Sequence, residues 1–386
     1  MTANDVVCLG ESMVTFLPSR PGRLADVPSF TRAIGGAESN VACALAAAGH
    51  RVRWVSRVGA DGFGDHLVEA VAAYGVDTTA VRRDARRPTG VYFRTATDRA
   101  TDGHEVVYYR AGSAASAMSP ETVPYEDLAT ARILHLSGIT AALSADCLAL
   151  TRTLTARRPG RPLVSFDVNH RPGLWRGADP SVLLDLARGA DLVFVGDDEA
   201  EAAWGLRDAA AIRDALPEPA VLVVKHGGRG ATAYARCAAS SPAPRSGHAT
   251  AAPSAAAHPA PAAPAPAAAA PSAGRSPERP GAAPRDGDTV TFVPAPRVDV
   301  VAPVGAGDAF AAGFLSATLR GLPVHHRLRH GHLMAAAALT VPGDLGTPPA
   351  TAHADRLADL DEDAWGRLHL GPGWTRTGED REVRTP

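Results

Sequence analysis

The chain contains 386 residues with a formal net charge of −2 at pH 7, and this length permits one large α/β domain or two ordinary ones. The near-neutral charge excludes a basic surface for nucleic acid or anionic membranes, and no apolar run approaches the roughly 20 residues that span a bilayer. The first ten residues lack a signal-peptide pattern, and the four cysteines show no CxxC spacing. We therefore expect a cytoplasmic protein with reduced thiols and without nucleic-acid or membrane partners.

Short apolar, β-branched runs alternate with Ala- and Leu-rich amphipathic stretches through most of the chain. This alternation predicts βα units and therefore an α/β fold with a mainly parallel sheet. The predicted strands are, in chain order, 6–9, 52–55, 133–136, 163–166, 192–195 and 221–224. The predicted helices are 40–48, 64–74, 144–157, 180–188, 199–204, 306–320 and 328–339.

Two stretches, about 13–33 and about 90–113, break this rhythm. In the second, Val91 and Phe93 alternate with Tyr92 and Arg94, which is the period of two that antiparallel strands show. We expect both stretches to form a small β-lid outside the main sheet. Such a lid would cover a cleft and exclude water from it.

Residues 238–287 are rich in Ala, Pro and Ser and contain almost no large apolar side chain. This composition predicts a disordered or polyproline II insertion. The strand-like segments 232–235 and 289–293 flank it, so it would be an expanded hairpin tip within one domain. We predict that this domain covers residues 1–360 and that residues 361–386, which are polar and Gly-rich, form a loose tail.

The strongest local signal is a β-like run that ends in the turn Gly305-Ala306-Gly307, followed by Asp308 and a predicted helix. Free backbone N–H groups at the start of a helix bind phosphate, and glycines let such a ligand approach closely. Asp308 could accept a proton from an attacking hydroxyl group. An ordinary glycine turn followed by a helix N-terminal charge is an equal alternative for so short a string.

A second glycine pair opens the segment Gly35-Gly36-Ala37-Glu38-Ser39-Asn40 before another predicted helix. Together, GGAxSN and GAGDAF resemble the two signature regions of the PfkB, or ribokinase-like, carbohydrate kinases. The resemblance implies a three-layer α/β/α sandwich with a β-lid and MgATP bound near the second motif. It also implies that Asp308 is the catalytic base, that Gly305, Ala306 and Gly307 form an anion hole, and that the sugar contacts Gly35, Gly36, Ala37, Glu38 and Asn40.

Lys225 is the single lysine of the chain and follows a predicted strand, where a compact ammonium charge would suit a phosphate ligand. The segment Lys225-His226-Gly227-Gly228-Arg229-Gly230 is similar to the nucleotide-loop pattern KxGxxG of the same family. This implies that Lys225, Gly227, Gly228 and Gly230 lie beside ATP. The chain contains no GK[ST] sequence and no GxGxxG after its first strand, which disfavours a P-loop kinase and a Rossmann dehydrogenase.

Segments 108–115 and 167–172 are similar to the patterns of 2-keto-3-deoxygluconate kinases. The resemblance implies that Asn169 faces the nucleotide and that the sugar acid contacts Gly35, Tyr92, Tyr108, Arg110, Arg171 and Asp344. A substrate carboxylate calls for a guanidinium group, whereas a neutral sugar does not. The implied reaction is ATP-dependent phosphorylation of the 6-hydroxyl group of 2-keto-3-deoxygluconate.

Two positions depart from the family pattern. Ala302 stands where relatives carry an aspartate that helps to hold a monovalent cation, so we expect weak potassium dependence. Gly196 replaces the asparagine of the family's NxxE motif, although Glu199 keeps the acidic position that influences Mg²⁺. The alternatives are a fructokinase or another neutral-sugar kinase, and a degenerate protein that only binds a sugar acid or nucleotide. Lid strands often pair in this family, which would make a homo-oligomer.

Overall fold

The structure, a computed structural model, describes residues 4–95, 106–236 and 287–376. The strands are β1 Val6–Leu9, β2 Met13–Pro18, β3 Phe30–Gly35, β4 Val52–Val55, β5 Arg57–Gly59, β6 Arg82–Asp84, β7 Val91–Arg94, β8 Val106–Tyr109, β9 Ile133–Ser137, β10 Leu163–Asp167, β11 Leu192–Gly196, β12 Val221–Lys225, β13 Ala231–Arg236, β14 Asp288–Val293, β15 Arg297–Val298 and β16 His369–Leu370. The helices are α1 Ala37–Ala47, α2 Gly62–Ala72, α3 Glu126–Ala129, α4 Gly138–Ala141, α5 Ala145–Thr155, α6 Val182–Gly189, α7 Asp197–Trp204, α8 Ala209–Ala215, α9 Ala306–Leu319, α10 Val324–Leu339, α11 Thr351–Ala358 and α12 Glu362–Arg367.

The main sheet has eight strands in the order β14-β13-β12-β11-β10-β9-β1-β4. The strands from β4 to β12 are parallel, and β13 and β14 add an antiparallel hairpin at one edge. Because side chains alternate along a strand, Val6 and Cys8 pack on one face of the sheet while Val7 and Leu9 pack on the other. Both faces therefore carry a buried core beneath helices, which confirms the predicted three-layer α/β/α sandwich.

The helices divide between the two faces of this sheet. The helices α1, α9 and α10 cover the face that contains Phe194, and α5 and α6 cover the face that contains Val193 and Val195. Eight of the 14 residues of α9 are buried, and its Phe314 packs edge-on against Phe194 with 5.4 Å between ring centroids. This packing holds the start of α9 at the carboxyl ends of the parallel strands.

The lid is a separate four-stranded sheet in the order β3-β2-β7-β8. The β2–β3 and β7–β8 pairs are antiparallel, as the alternating pattern predicts, while the central β2–β7 pair is parallel. Phe16 of β2 and Phe93 of β7 stack with 4.6 Å between ring centroids, and Phe30 packs edge-on against Phe93. This aromatic cluster joins the lid strands to one another, and Phe16 also packs against the main core.

The predicted strands and helices of the sandwich are all present, with ends that differ by up to four residues. The segments 232–235 and 289–293 pair as β13 and β14, while the predicted insertion at 238–287 lies outside the described residues apart from Gly287. None of the described helices is long and apolar enough to cross a membrane.

The prediction of a loose tail after residue 360 is wrong for residues 362–376. There α12 places Trp365 with no exposed surface, and β16 pairs with β15. The indole N–H of Trp365 donates to the Pro294 carbonyl at 2.8 Å, and the guanidinium group of Arg329 lies 4.6 Å from its ring. The polar composition of this segment concealed one large apolar anchor, which packs beneath α10.

Candidate active site

A cleft of about 990 Å³ lies where the carboxyl ends of β10, β11 and β12 face the start of α9 and the underside of the lid. Parallel strands place their carboxyl ends at one edge of the sheet, so residues far apart in sequence meet there. The predicted site residues that line this cleft are Gly35, Gly36, Ala37, Asn40, Tyr92, Tyr108, Arg110, Asn169, Arg171, Glu199, Lys225, Gly305, Ala306, Gly307, Asp308 and Asp344.

The turn before α9 depends on a glycine. Gly305 has φ of +73°, and a Cβ atom at this position would lie 2.1 Å from the backbone oxygen of Asp344. Both the left-handed backbone and the close approach therefore require glycine. The first N–H groups of α9, over residues 305–307, have no acceptor within the helix and line the cleft, so they can bind an anion.

Asp308 lies in the first turn of α9 and accepts a hydrogen bond from the side-chain amide of Asn40 at 2.8 Å. Burial, together with the nearby carboxylate of Asp167, raises the pKa of Asp308 to about 7, although the Asn40 hydrogen bond opposes the shift. A carboxyl group with this pKa can both take and release a proton near neutral pH.

Lys225 at the end of β12 is held by the Asp167 carboxylate, with Nζ–O distances of 3.0 and 3.1 Å. Burial alone would lower the pKa of Lys225, but Asp167 and more distant carboxylates raise it, so the side chain stays charged. An ideal Cβ on Gly307 would lie 3.6 Å from this ammonium group. The positive charge therefore lies beside the N–H groups that can bind an anion.

Beneath the lid, Asp344 accepts a hydrogen bond from the Tyr92 hydroxyl at 3.1 Å and pairs with Arg94 at 3.3 Å. Arg94 also donates to the Pro342 carbonyl at 3.0 Å. Burial raises the pKa of Asp344, and the charge of Arg94 opposes that shift. Tyr92 and Arg94 thereby join the lid strand β7 to the loop that contacts Gly305.

Arg110 reaches the cleft from the end of the lid and forms an ion pair with Glu11, which also accepts a hydrogen bond from Ser113 at 2.5 Å. Glu11 is only 2% exposed, and its two carboxylate oxygens accept from Arg110 and Ser113 respectively. Tyr108 lies beside the same guanidinium group, 5.7 Å away, and is half exposed. The pair orients Arg110 towards the cleft.

Asn169 follows β10 in a left-handed conformation, with φ of +40°, and its side-chain oxygen is buried without a hydrogen-bond partner. Such an oxygen is available to a ligand that supplies a donor. Arg171 pairs with Glu199 at 3.3 Å, and the second Glu199 oxygen accepts from the Gly196 N–H at 2.9 Å. Glu199 therefore lies at the rim of the cleft, and its carboxylate is fixed by a hydrogen bond at the start of α7.

Glu38 was expected to contact the substrate, but it does not line the cleft. Its carboxyl group is fully buried, accepts hydrogen bonds from Ser137 and Thr140, and lies beneath Gly10. Burial raises its pKa despite these hydrogen bonds. Glu38 therefore supports the start of α1 from below, because the side chain at this position of the helix points into the sheet.

The glycines of the predicted nucleotide loop also lie away from the lining of the cleft. Gly227 and Gly228 belong to a 3-10 turn, and Gly230 leads into β13. Of this segment only Lys225 lines the cavity. Ala302 is buried, with its N–H bonded to Leu339, and it does not line the cavity either.

Besides Arg176, three charged lining residues escaped the sequence analysis: Glu11, Arg94 and Asp167. Glu11 and Asp167 each stand at the carboxyl end of a parallel strand, which is the edge where sites form in such sheets. Arg94 lies two residues after Tyr92 on the same lid strand and so shares its face. The strand positions were therefore a usable signal for all three.

A closed α/β/α sandwich with a lid over an anion-binding helix start and a buried carboxyl group defines a class of phosphate-handling enzymes. Comparison with known sequences identifies it further: residues 3–250 and 280–350 match the pfkB family carbohydrate kinases. The chain therefore belongs to this family of carbohydrate kinases.

Among curated relatives, a 2-dehydro-3-deoxygluconokinase of Bacillus subtilis (strain 168) is 31% identical over 350 residues, or 89% of this chain and 92% of the relative. Fructokinase-1 of Oryza sativa subsp. japonica is 31% identical over 237 residues, 60% of this chain and 73% of the relative. The chain is thus similar to kinases of both a sugar acid and a neutral sugar.

Among solved structures, a PfkB protein from Polaromonas sp. JS666 superposes with a TM-score of 0.69 at 31% identity, covering 92% of this chain and 99% of the other. A fructokinase from Xylella fastidiosa solved with bound ATP gives a TM-score of 0.67 at 22% identity, covering 91% and 97%. The second likeness concerns the fold alone.

Proposed function

We propose that this carbohydrate kinase transfers the γ-phosphoryl group of ATP to the 6-hydroxyl group of 2-keto-3-deoxygluconate, the compound also called 2-dehydro-3-deoxygluconate. The observation that carries the proposal is the set of guanidinium groups, Arg110, Arg171 and Arg176, that line the same cleft as Asp308. Arg110 pairs with Glu11 and Arg171 with Glu199, whereas Arg176 forms no ion pair within the described residues, so one net positive charge is available. A sugar carboxylate matches this charge, and the similarity to a 2-dehydro-3-deoxygluconokinase supports it.

In this reaction Asp308 would accept the proton of the 6-hydroxyl group as its oxygen attacks phosphorus in line with the leaving group. Asn40 holds the carboxyl group of Asp308 in place through their 2.8 Å hydrogen bond. The N–H groups of residues 305–307 and the ammonium group of Lys225 would stabilise charge on the transferred group. The lid strands would exclude water, which otherwise competes with the sugar hydroxyl.

The residues of the cleft fit a nucleoside triphosphate. Residues 305–307 and Lys225 would hold its phosphates, and the unpartnered oxygen of Asn169 is a free acceptor in the same cavity. Mg²⁺ prefers oxygen ligands and keeps several waters, and Glu199 lies at the rim as one carboxylate near the phosphate position. Within the described residues no three acidic, His or Cys side chains form a metal site. The metal would therefore be held largely through the phosphates, whose charge it neutralises.

The test is coupled ADP release with MgATP and three acceptors: 2-keto-3-deoxygluconate, fructose and ribose. We expect turnover with the sugar acid and little with the others. Arg110→Gln should raise KM for the sugar acid by about 10- to 100-fold, because one charge-assisted hydrogen bond is lost. Arg152→Gln, on the exposed side of α5, is the matched control and should leave KM unchanged.

A fructokinase is the second candidate, and the similarity to rice fructokinase-1 favours it. In that case fructose would be turned over and Arg110→Gln would leave its KM unchanged. A third outcome, binding of the sugar acid without ADP release under varied K⁺ and Mg²⁺, would indicate a degenerate kinase. If Ala302→Asp then restored turnover by several orders of magnitude, Ala302 would be the cause.

A further inference from the structure

A second charged hollow lies at the edge of the main sheet opposite the cleft, where β10 begins. Its volume is about 560 Å³, and its charged lining consists of Arg157, Arg158, Arg161 and Asp191, with Leu163 on its floor. The cleft lies at the carboxyl end of the same strand, at Asp167. At about 3.3 Å per residue, β10 alone separates the two regions by roughly 13 Å.

The hollow carries more positive charge than its single carboxylate can neutralise. Asp191 accepts from Arg157 at 3.2 Å and from Arg161 at 2.9 Å through one oxygen, and its other oxygen accepts from the Val164 N–H. Both oxygens of Asp191 are therefore engaged. Across residues 4–95, 106–236 and 287–376, no other acidic side chain pairs with these arginines, and Arg158 has no carboxylate partner. Two guanidinium charges remain uncompensated.

The protein holds these guanidinium groups in place without using all of their donors. Arg157 donates to the carbonyls of Arg188, Ala190 and Glu218. Arg158 donates to the Thr153 carbonyl at 2.9 Å through one nitrogen and stacks over Tyr125 at 4.0 Å. The side chain of Arg161 is only 7% exposed, and its Nη1 is buried without any partner. Burial lowers the pKa of Arg161, and the like charges of Arg157 and Arg158 lower it further. Guanidinium groups that are held in place and keep unused N–H donors bind an anion more strongly than they bind water.

We propose that this hollow binds the phosphate group of a small ligand, with Arg157 and Arg158 as direct donors and Arg161 as the buried charge behind them. Arg157 is half exposed and rigid, and Arg158 presents its guanidinium plane from the ring of Tyr125. Planar guanidinium groups match phosphate oxygens in geometry as well as charge. The apolar Leu163, which is 36% exposed, would contact the uncharged part of a phosphorylated metabolite.

The experiment measures phosphate binding to the full chain by isothermal titration calorimetry, with the cleft occupied by Mg²⁺ and a non-hydrolysable ATP analogue. The probes are inorganic phosphate and 6-phosphogluconate. Arg158→Gln removes a partly exposed donor, and Arg152→Gln, six residues earlier in sequence, removes an exposed arginine of α5 as the matched control. Unfolding temperature and basal kinase turnover are measured for both variants, and neither residue lies in the cleft.

We expect phosphate binding to weaken by about tenfold or more in Arg158→Gln and to stay unchanged in Arg152→Gln, since one charge-assisted hydrogen bond is lost. Arg158→Lys keeps the charge and should recover part of the affinity if the first variant folds poorly. Tighter binding of 6-phosphogluconate than of phosphate, lost in the same variant, would identify a phosphorylated metabolite as the ligand, and equal binding would identify free phosphate. No binding of either probe, equal weakening in both glutamine variants, or unchanged binding in Arg158→Gln would overturn the proposal.

Discussion

At the scale of single residues, Asp308 lies in the cleft in an environment that disfavours its ionised form. It is a buried carboxyl group whose pKa is raised to about 7, and its one side-chain partner is Asn40. A native pKa above the unfolded value of 3.8 means that the folded state binds the proton more tightly. Stability due to this group is therefore lost as pH rises towards 7, and the full cost is present above pH 7.

We predict that Asp308→Asn lowers kcat by about 10²- to 10⁴-fold, because it removes the proposed base. The same substitution should raise the free energy of unfolding at pH 8 by at least about 1 kcal/mol, since no charge is then buried. The gain should be smaller at pH 5, where Asp308 is already protonated in the native state. Denaturant unfolding at both pH values measures it, and a gain that did not change with pH would contradict the raised pKa.

We also predict that kcat/KM of the wild-type enzyme falls by tenfold per pH unit below about pH 7 and levels off above it. Only the ionised form of Asp308 can accept the hydroxyl proton, and burial raises its pKa to about 7. A pH profile of initial rates checks this. A plateau that extended down to pH 5 would exclude Asp308 as the titrating base in the free enzyme.

At the scale of elements, a glycine at each end of α9 is required for a different reason. Gly305 at its start has φ of +73° and contacts the backbone of Asp344, whereas Gly321 after its end has φ of +74° and open space around it. The first position combines a backbone requirement with a steric one, and the second has only the backbone requirement. Substitutions at these two glycines therefore distinguish the shape of the turn before α9 from ordinary helix termination.

We predict that Gly321→Ala costs about 1 kcal/mol of stability and leaves turnover unchanged. Gly305→Ala should cost more and should abolish turnover, because its Cβ would displace either the turn or the Asp344 loop. Thermal unfolding and ADP release measure the two effects. Equal activity of the two variants would show that the turn tolerates movement and that its N–H groups do not position the phosphate.

At the scale of the whole molecule, β13 and β14 form a regular antiparallel pair, and the residues that connect them, 237–286, lie outside the described part of the chain. Arg236 pairs with Asp288, and Gly287, with φ of +101°, precedes Asp288. The ends of the hairpin are therefore as close as in a tight turn. The fold of the sandwich does not require the residues in between to pack on it.

We predict that replacing residues 237–286 by one asparagine leaves activity intact and changes the unfolding temperature by only a few degrees. The result is a two-residue Asn-Gly connection, which suits the twist of antiparallel strands. Circular dichroism and ADP release measure the outcome. Loss of soluble folded protein would show that the replaced segment contributes to the core or to solubility.

For the C-terminal segment, in contrast, we predict that a single substitution lowers stability strongly. Trp365 is fully buried against Arg329, so Trp365→Ala should cost about 3–5 kcal/mol of stability. Trp365→Phe retains an aromatic ring and should cost less, because it loses mainly the hydrogen bond to Pro294. Denaturant unfolding of both variants distinguishes the two effects, and a cost below 1 kcal/mol for alanine would contradict the buried role.

The sequence by itself determined the alternation of strands and helices, the separate lid and the two glycine turns. These features depend on the local periodicity of apolar residues and on the backbone conformation at single positions, such as the positive φ of Gly305. Both can be inferred from short stretches of sequence. The resemblance to family motifs also indicated about half of the residues that line the cleft, among them Gly305, Asp308 and Lys225. Its prediction of a loose tail was wrong for residues 362–376, because local composition does not show whether Trp365 packs into a core.

Only the tertiary structure decided which charges neutralise one another. Glu11 with Arg110, Arg94 with Asp344, and Lys225 with Asp167 are pairs distant in sequence. The structure also moved Glu38 from the cleft to the core and raised the pKa of Asp308. Burial and ion pairing depend on what surrounds a group in three dimensions, and no local pattern carries that information.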